Sequence, residues 1–393
     1  MGLLEFQNLS TRQTEFVLLA KHLAQSMASR ANTFDRKGEL PISSFSELKQ
    51  SAYPKLTVPE AFGGLGANLL EFVLAQICLA QGDTAVALTA AMNAHVLGGV
   101  SESGAWNFDT STRIFKEVIS RGALINALAS EPELGSPSRG GAFRTVAKKV
   151  AGGWRLTGRK NWTTGGTCLD FFLVHASLIG TPTGQITGVL ESTGRMIVPV
   201  GADGVRFEKT WVDALSLRSS AADDVVFENV FVPDSDFIMP TAPSSSGTAW
   251  FWAAMSATYL GIGIAALNEV TQYAKTRVPT ALGQPISSLA SVQQKIGLIE
   301  LTLKSAQTML LETCERWVTS DSRDELIPAL AGAKYLCTNA AVAATDLALR
   351  VAGGNALTRS LSLERHFRDA RAGLVHPPND ETAFEMIGRA RLG

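Results

Sequence analysis

The apolar residues of this chain change period twice, and that change limits the fold more than any other feature. In the C-terminal part, Val292, Ile296, Ile299, Leu303, Ala306 and Leu310 alternate steps of four and three. Leu330, Ala333, Cys337, Ala340, Ala344, Leu347 and Val351 do the same, and Leu260, Ile264, Leu267 and Ala274 form a third stripe. Three long stripes of this period predict a helical bundle. The N-terminal part is also helical in pattern. The run from Thr11 to Arg30 has no Gly or Pro and carries Phe16, Leu19, Leu23 and Met27 at helical spacing. A loop follows, punctuated by Pro54, Pro59 and Gly63-Gly64-Leu65-Gly66, and then Leu69 to Gln81, Thr84 to His95 and Ser111 to Ser120 read as helices.

Between these two helical parts, from Gly122 to about Pro240, short runs of Val, Thr and Phe alternate with Gly. Gly152-Gly153 between Val146–Val150 and Trp154–Leu156 predicts a hairpin. Phe171, Leu173 and His175 alternate with apolar neighbours, and Val226-Phe227 and Val230-Phe231-Val232 flank Glu228-Asn229. Several short strands with turn signals between them suggest a barrel or sandwich. No crossover helix separates them, which disfavours a Rossmann domain. Residues 241–247 read as a Pro/Ser linker. The expectation is an α+β protein with a helical domain over 1–121, a β domain over 122–240 and a helical bundle over 241–393.

Composition narrows the function classes. Lys plus Arg number 35 and Asp plus Glu 36, so the net charge is −1. A nucleic-acid binder should carry a basic excess or stripe. Cys78, Cys168, Cys314 and Cys337 form no CxxC pair, so neither a zinc site nor a disulfide framework fits. Scattered thiols suit a reducing cytosol. The first residues lack the apolar core of a signal peptide. The most apolar stretch, Thr84 to Val100, is interrupted by Asn93 and His95 and is shorter than the ~20 residues of a membrane span. A soluble cytoplasmic protein is expected, with no nucleic-acid or membrane partner.

Five segments in order resemble the acyl-CoA dehydrogenase family of flavoproteins, and the resemblance covers nearly the whole chain. Ala129-Ser130-Glu131-Pro132-Glu133-Leu134-Gly135-Ser136 is similar to that family's T/S-E-P-x-x-G-S loop. Gly158-Arg159-Lys160-Asn161-Trp162-Thr163-Thr164 resembles its G-x-K-x-W-I-T strand and turn. Residues 226–233 resemble its exit from the β domain, Gly353-Gly354-Asn355 its G-G-x-G turn, and residues 363–371 its E-R-x-x-R-D-A segment. The resemblance implies a middle β-barrel or sandwich, a C-terminal four-helix bundle, bound FAD and a homotetramer or at least a dimer.

It also implies roles. A flavin needs an apolar wall and a few fixed donors. Trp162 would supply the wall, and Thr163, Thr164, Ser130 and the backbone of Ala127 and Ala129 the polar partners. Taken alone, Trp162 would read first as a core aromatic and the threonines as β-formers. The anionic pyrophosphate needs a cation or backbone donors. Arg277 matches the family's Arg at a helix end that reaches a neighbouring subunit, although Val278-Pro279-Thr280-Ala281-Leu282 intervenes before Gly283. Arg350 stands where the family has a Gln, three residues before Gly353-Gly354. Ser136 matches a position near the thioester arm, and Phe251 and Trp252 predict a bulky apolar substrate wall or a helix core.

The family's base is missing. Removing the α-proton of an acyl thioester needs a group within hydrogen-bond reach of it. The family places a Glu nine residues after the Arg of R-D-A, and counting from Arg368 gives Pro377. A minority of members place it on the first bundle helix, where Phe251 and Trp252 stand here. Three explanations stay open. His376, beside Pro377, could be the base, while Asp380 and Glu381 read as first-turn charges after an Asn379 cap. The chain could instead be a two-component monooxygenase on the same fold, taking FMN or free reduced flavin from a flavin reductase and using His95 and His376 on a small molecule. It could also be a flavoprotein scaffold without catalysis. The favoured expectation is α,β-dehydrogenation of a CoA- or carrier-bound acyl chain in fatty acid metabolism, with an electron-transfer flavoprotein as partner and no metal. His22, His175 and His366 are given no role.

Overall fold

A computed structural model describes residues 3–134, 142–179, 193–239 and 244–393. Helices α1 (Thr11–Lys37), α2 (Ile42–Gln50), α3 (Leu69–Leu79), α4 (Thr84–Ser103) and α5 (Phe108–Arg121) come first. Side chains that compete well for backbone N–H groups start all of them but α2. Ser10 and Asn68 form capping boxes with Gln13 and Glu71, and Asp83 accepts from Ala85 and Val86. Gly38, Gly104 and Gly122 end three of them with positive φ.

Eight strands follow: β1 (Ile125–Leu128), β2 (Val146–Val150), β3 (Gly153–Lys160), β4 (Phe171–Ile179), β5 (Thr193–Pro199), β6 (Val205–Glu208), β7 (Asp224–Pro233) and β8 (Phe237–Ile238). They form one sheet in the order β6-β7-β3-β2-β4-β5-β8, with β1 on β4. β1 and β2 run parallel to β4 along the same edge, and every other pair is antiparallel. The sheet curls on itself. Phe172 of β4 meets Phe227 of β7 at 6.1 Å, and Trp154 of β3 stacks on Phe237 of β8 at 4.7 Å, although neither pair is adjacent in the sheet. The inner face buries Phe172, Val174, Met196 and Val198. The outer face, with Ile125, Phe171, Leu173, Ile197 and Ile238, packs on Val96, Leu97 and Val100 of α4 and on Phe115 and Val118 of α5.

The last part is the bundle: α6 (Ser245–Thr276), α7 (Ala290–Thr319), α8 (Ile327–Ala352), α9 (Leu363–Ala370), α10 (Ala372–Val375) and α11 (Asp380–Leu392). The three apolar stripes map onto α6, α7 and α8, as their period requires. Three expectations need correction. Glu228-Asn229 does not separate two strands; β7 runs through it, with Asn229 at φ +54° beside a register shift opposite residues 156–158. Ser245, Ser246 and Gly247 are not linker but the first turn of α6, capped by the Ser244 hydroxyl on Ser246 N–H. The most apolar long helix is α6 rather than α4, and 94% of its most apolar window is buried inside the protein.

Small residues let α6 approach its neighbours. A Cβ on Gly98 of α4 would fall 2.4 Å from the Trp250 ring, and one on Gly261 would fall 2.6 Å from Ala80 Cβ. Glu102 of α4 accepts from Trp250 Nε1, Trp317 Nε1 and Ser246 Oγ at 3.1, 3.0 and 2.8 Å, tying α4 to α6 and α7. Gly98→Ala is therefore expected to lower stability by about 1–3 kcal/mol through overpacking against Trp250. Urea unfolding checks this; an unchanged midpoint would mean that the α4–α6 contact yields.

Candidate active site

Two loops meet at the end of β3. Asn161 N–H donates to Ser130 O at 3.1 Å, which sets the Ser130 loop against Trp162. Trp162 has φ +60° and is 52% exposed, an unusual state for an indole. Thr163 is buried; its N–H donates to Asp223 O, but its hydroxyl has no partner. Thr164 O accepts from Asn126 Nδ2 at 3.1 Å. Asn126 Oδ1, Asn161 Oδ1 and Ser220 Oγ are likewise buried and unpaired. Ala127 and Ser130 are partly accessible, and the carbonyls of Ala129 and Ser130 are engaged by Lys160 Nζ and Asn161 N–H. Ser136 lies outside the described residues.

A buried ion pair holds these loops. Lys160 Nζ and Glu131 Oε1 are 2.8 Å apart, at 0% and 1% side-chain exposure. Glu131 also accepts from Arg144 N–H and Thr145 N–H. Burial depresses the Lys160 ammonium to about 8 against the pull of Glu131. Burial raises the Glu131 carboxyl, but Lys160 and Thr145 outweigh it and the carboxyl sits below its usual value.

The segment where Pro377 replaces the family's carboxylate forms a second centre. His376 ends α10, and its Nδ1 shares a 2.8 Å hydrogen bond with the hydroxyl of Tyr259, a fully buried residue of α6. Lys334 of α8, also fully buried, donates from Nζ to Gly373 O at 2.8 Å. Among the described residues no carboxylate lies within ion-pair distance of it. Burial, then the Lys334 charge, pushes His376 down to about 4. Burial drives the Tyr259 phenol well above its usual value, so it keeps its proton. Asn379 caps α11 on Thr382 N–H, with Asp380 and Glu381 in the first turn.

His95 of α4 faces the other end of α6. Its ring meets Phe251 edge-on at 5.2 Å, and its buried Nδ1 has no partner. Burial, then Arg195, holds it at about 4. Phe251 is half-buried, whereas Trp252 is buried in the core, so only Phe251 of that pair is poised to line a pocket. Phe251 and Tyr259 are two turns apart on α6, about 12 Å along its axis. His95 and His376 thus mark two stations on one helix.

The remaining predicted residues gather at the far end of the bundle. Arg277 caps α6, exposed, with its N–H on Tyr273 O. Asn355 Nδ2 donates to the Tyr273 hydroxyl at 2.5 Å, which brings the Gly353-Gly354 turn to that end. Both glycines have open space where a Cβ would be. Arg350 is exposed and pairs with Asp346 on its own helix at 2.8 Å.

Comparison with known proteins decides the family. The acyl-CoA dehydrogenase N-terminal, middle and C-terminal domain models match residues 11–105, 126–230 and 253–381. A Bacillus subtilis (strain 168) protein, YdbM, whose name assigns it to the acyl-CoA dehydrogenases, is 31% identical over 377 residues, covering 96% of each chain. The chain belongs to the acyl-CoA dehydrogenase family. It is a flavin-dependent oxidoreductase of CH–CH groups, and the family's cofactor is FAD. Butyryl-CoA dehydrogenase from Megasphaera elsdenii has the same fold, with a TM-score of 0.86 at 21% identity over 99% of this chain and 100% of that one. So does dibenzothiophene monooxygenase from Paenibacillus sp. A11-2, with 0.83 at 18% identity over 96% and 97%. Because both chemistries occur on the fold, architecture alone does not choose between them.

An acyl-CoA dehydrogenase must hold a flat ring with polar edges, and this chain fits that demand. A half-exposed indole stands beside a buried threonine hydroxyl and two unpaired Asn oxygens, groups that would be costly to bury unless something else paired with them. Sequence reasoning missed Tyr259, Lys334 and Asn126. The signal for Tyr259 was a phenol inside an otherwise apolar helix, which needs a partner when buried.

Of the five histidines, His95, His175, His366 and His376 are all held below the ordinary value, by burial first. The unfolded chain takes up these protons near pH ~6.5, whereas His95 and His376 resist until about 4. Their contribution to stability is complete above ~6.5 and is lost as pH falls toward 4. The urea midpoint at pH 5.0 is expected below that at pH 7.5; equal midpoints would contradict the burial of neutral imidazoles.

Proposed function

We propose that this protein is an FAD-dependent dehydrogenase of acyl thioesters, in which His376 takes the α-proton that a carboxylate takes elsewhere in the family. The observation that carries this reading is the Tyr259–His376 hydrogen bond at the segment where Pro377 replaces the expected Glu. Proton abstraction needs a lone pair on Nε2, which is present when Nδ1–H donates to the Tyr259 oxygen. The same bond persists once Nε2 is protonated, so the ring does not turn during transfer. Burial and Lys334 keep the imidazole neutral across the physiological range, so the lone pair is available, though weakly basic. Bound FAD supplies the acceptor for the β-hydride. Trp162 walls the ring, and the Thr163, Thr164 and Ser130 side chains, with the backbone of Ala127 and Ala129, meet its polar edge. Phe251 forms the wall of the acyl pocket.

The exposed Arg277, Arg350, Gly353 and Gly354 suit the pyrophosphate and adenosine of a neighbouring subunit's FAD, which supports a homotetramer. An electron-transfer flavoprotein would take the electrons, in the cytoplasm. A second reading, a two-component monooxygenase fed by a flavin reductase, has one observation in its favour. The buried phenol has no other acceptor among the described residues; if it donates to Nδ1, the proton sits on Nε2 and His376 becomes a donor.

Anaerobic titration of the purified holoprotein with acyl-CoA thioesters separates the two. Bleaching of the visible flavin band is expected. No bleaching, with protein that binds only reduced flavin, would give the site to the monooxygenase. His376→Gln is expected to slow bleaching by about a hundredfold or more without releasing flavin; an unchanged rate would remove His376 from the chemistry.

A further inference from the structure

Lys334 is fully buried in the bundle, yet stability alone does not call for a lysine there. A methionine would fill similar space without the cost of desolvating an ammonium. Among the described residues, the one acceptor Nζ meets is Gly373 O, at 2.8 Å. That carbonyl needs a donor from outside its own helix. In an α-helix the carbonyl of one residue accepts from the N–H four residues on. Ala372 O is satisfied in this way by His376 N–H at 3.3 Å. Four residues on from Gly373 stands Pro377, which has no N–H. Proline at the position of the family's carboxylate therefore leaves Gly373 O open, and Lys334 closes it.

The same turn is fitted to Tyr259. A Cβ on Gly373 would fall 2.9 Å from Tyr259 Cγ and 2.9 Å from Thr338 Cγ2, so α10 lies against both α6 and α8 with no room for a side chain there. Thr338 follows Lys334 by one turn of α8, and its hydroxyl donates to Lys334 O at 3.0 Å. His376 follows Gly373 by three residues, about one helical turn. That turn sets Gly373 at the root of the Tyr259 ring and His376 Nδ1 on its hydroxyl, 2.8 Å away. A helix of four residues does not hold its own geometry. After His376 the chain turns extended, and the next two residues are prolines that offer no N–H to brace it. The support comes from α6 and α8 instead.

We propose that Lys334 is a positioning residue for His376: its hydrogen bond to Gly373 O holds α10 against Tyr259, and that contact sets the imidazole for proton transfer. This rests on the reading of His376 as the base. Lys334 acts through the turn and touches no reacting atom. Its charge has the opposite influence, since the ammonium helps to keep His376 weakly basic. Loss of the charge alone would make the imidazole a stronger base and speed proton removal. Loss of the tether slows it. The sign of the change in rate separates the two roles.

The test is anaerobic single-turnover bleaching of the holoprotein by saturated acyl-CoA thioesters from butyryl- to dodecanoyl-CoA. The concentration dependence with the fastest of them gives the limiting rate and the thioester Kd together. Lys334→Met is expected to lower the limiting rate about ten- to a hundredfold with its flavin retained. The Kd should stay within about threefold, because a misplaced base is felt in the chemical step and not in binding. Lys334→Arg, which keeps a donor and the charge, should recover part of the rate. Gly373→Ala disturbs the same turn from the Tyr259 side with Lys334 intact; it should slow bleaching in the same way, and it decides the matter if Lys334→Met does not fold. A crystal structure of the slowed variant should show the Tyr259–His376 hydrogen bond broken. A native or faster limiting rate in Lys334→Met overturns the proposal, and so does a Tyr259–His376 bond that persists in that variant. His376→Gln is run alongside. If it bleaches at the native rate, or if no thioester bleaches the native protein, the reading of His376 as the base fails, and the crystal geometry alone decides whether Lys334 holds the turn.

Discussion

Helix α6 is buried on nearly every side, and the arrangement of the other elements depends on that burial. Its core residues, among them Trp250, Trp252, Tyr259 and Ile262, leave almost no solvated face. A helix of this kind has to be enclosed by others, and here α3, α4, α7, α8 and α9 enclose it. Close approach is possible because Gly98, Gly261 and Gly263 stand where a methyl would collide with Trp250, Ala80 and Leu303. The same helix presents Phe251 to His95 and Tyr259 to His376. Packing therefore fixes the spacing of the two histidines, and no flexible loop intervenes between their supports.

Charge is handled unevenly around this core. The Lys160–Glu131 pair is fully enclosed and satisfied by further N–H donors, which suits a structural clasp between the two loops. Lys334 and Arg195 are different, since neither has a carboxylate within ion-pair distance among the described residues. Burial lowers the Lys334 ammonium to about 8, against the pull of Asp380. Both cations lie next to a histidine and help to keep it neutral. Position 377, where the family's carboxylate would stand, is a proline and brings no charge to this centre.

Much of this was legible in the sequence because it follows from local period and short motifs. The stripes of α6, α7 and α8, the β2–β3 hairpin at Gly152 and the Asn379 cap depend on residues close together in the chain. The strand through Glu228-Asn229 was not legible, because Asn229 takes a positive φ and looks like a turn residue. Nor was the start of α6, where Ser244 caps a run that reads as a linker. The site was half legible. Trp162 and Thr163 stand out by motif, whereas Tyr259 and His376 meet across 117 positions. The placement of His175 opposite Arg195 depends on the β4–β5 register. That register is written in no local pattern, so His175 was given no role.

The central claim is that His376 is the proton acceptor, and α-proton exchange tests it most directly. The holoprotein would be incubated in deuterium oxide with an acyl-CoA that it oxidises slowly, and α-deuterium incorporation followed by mass spectrometry. The account predicts steady incorporation by the native protein and almost none by His376→Gln with its flavin retained. Undiminished exchange in that variant would contradict it and send the proton to another group.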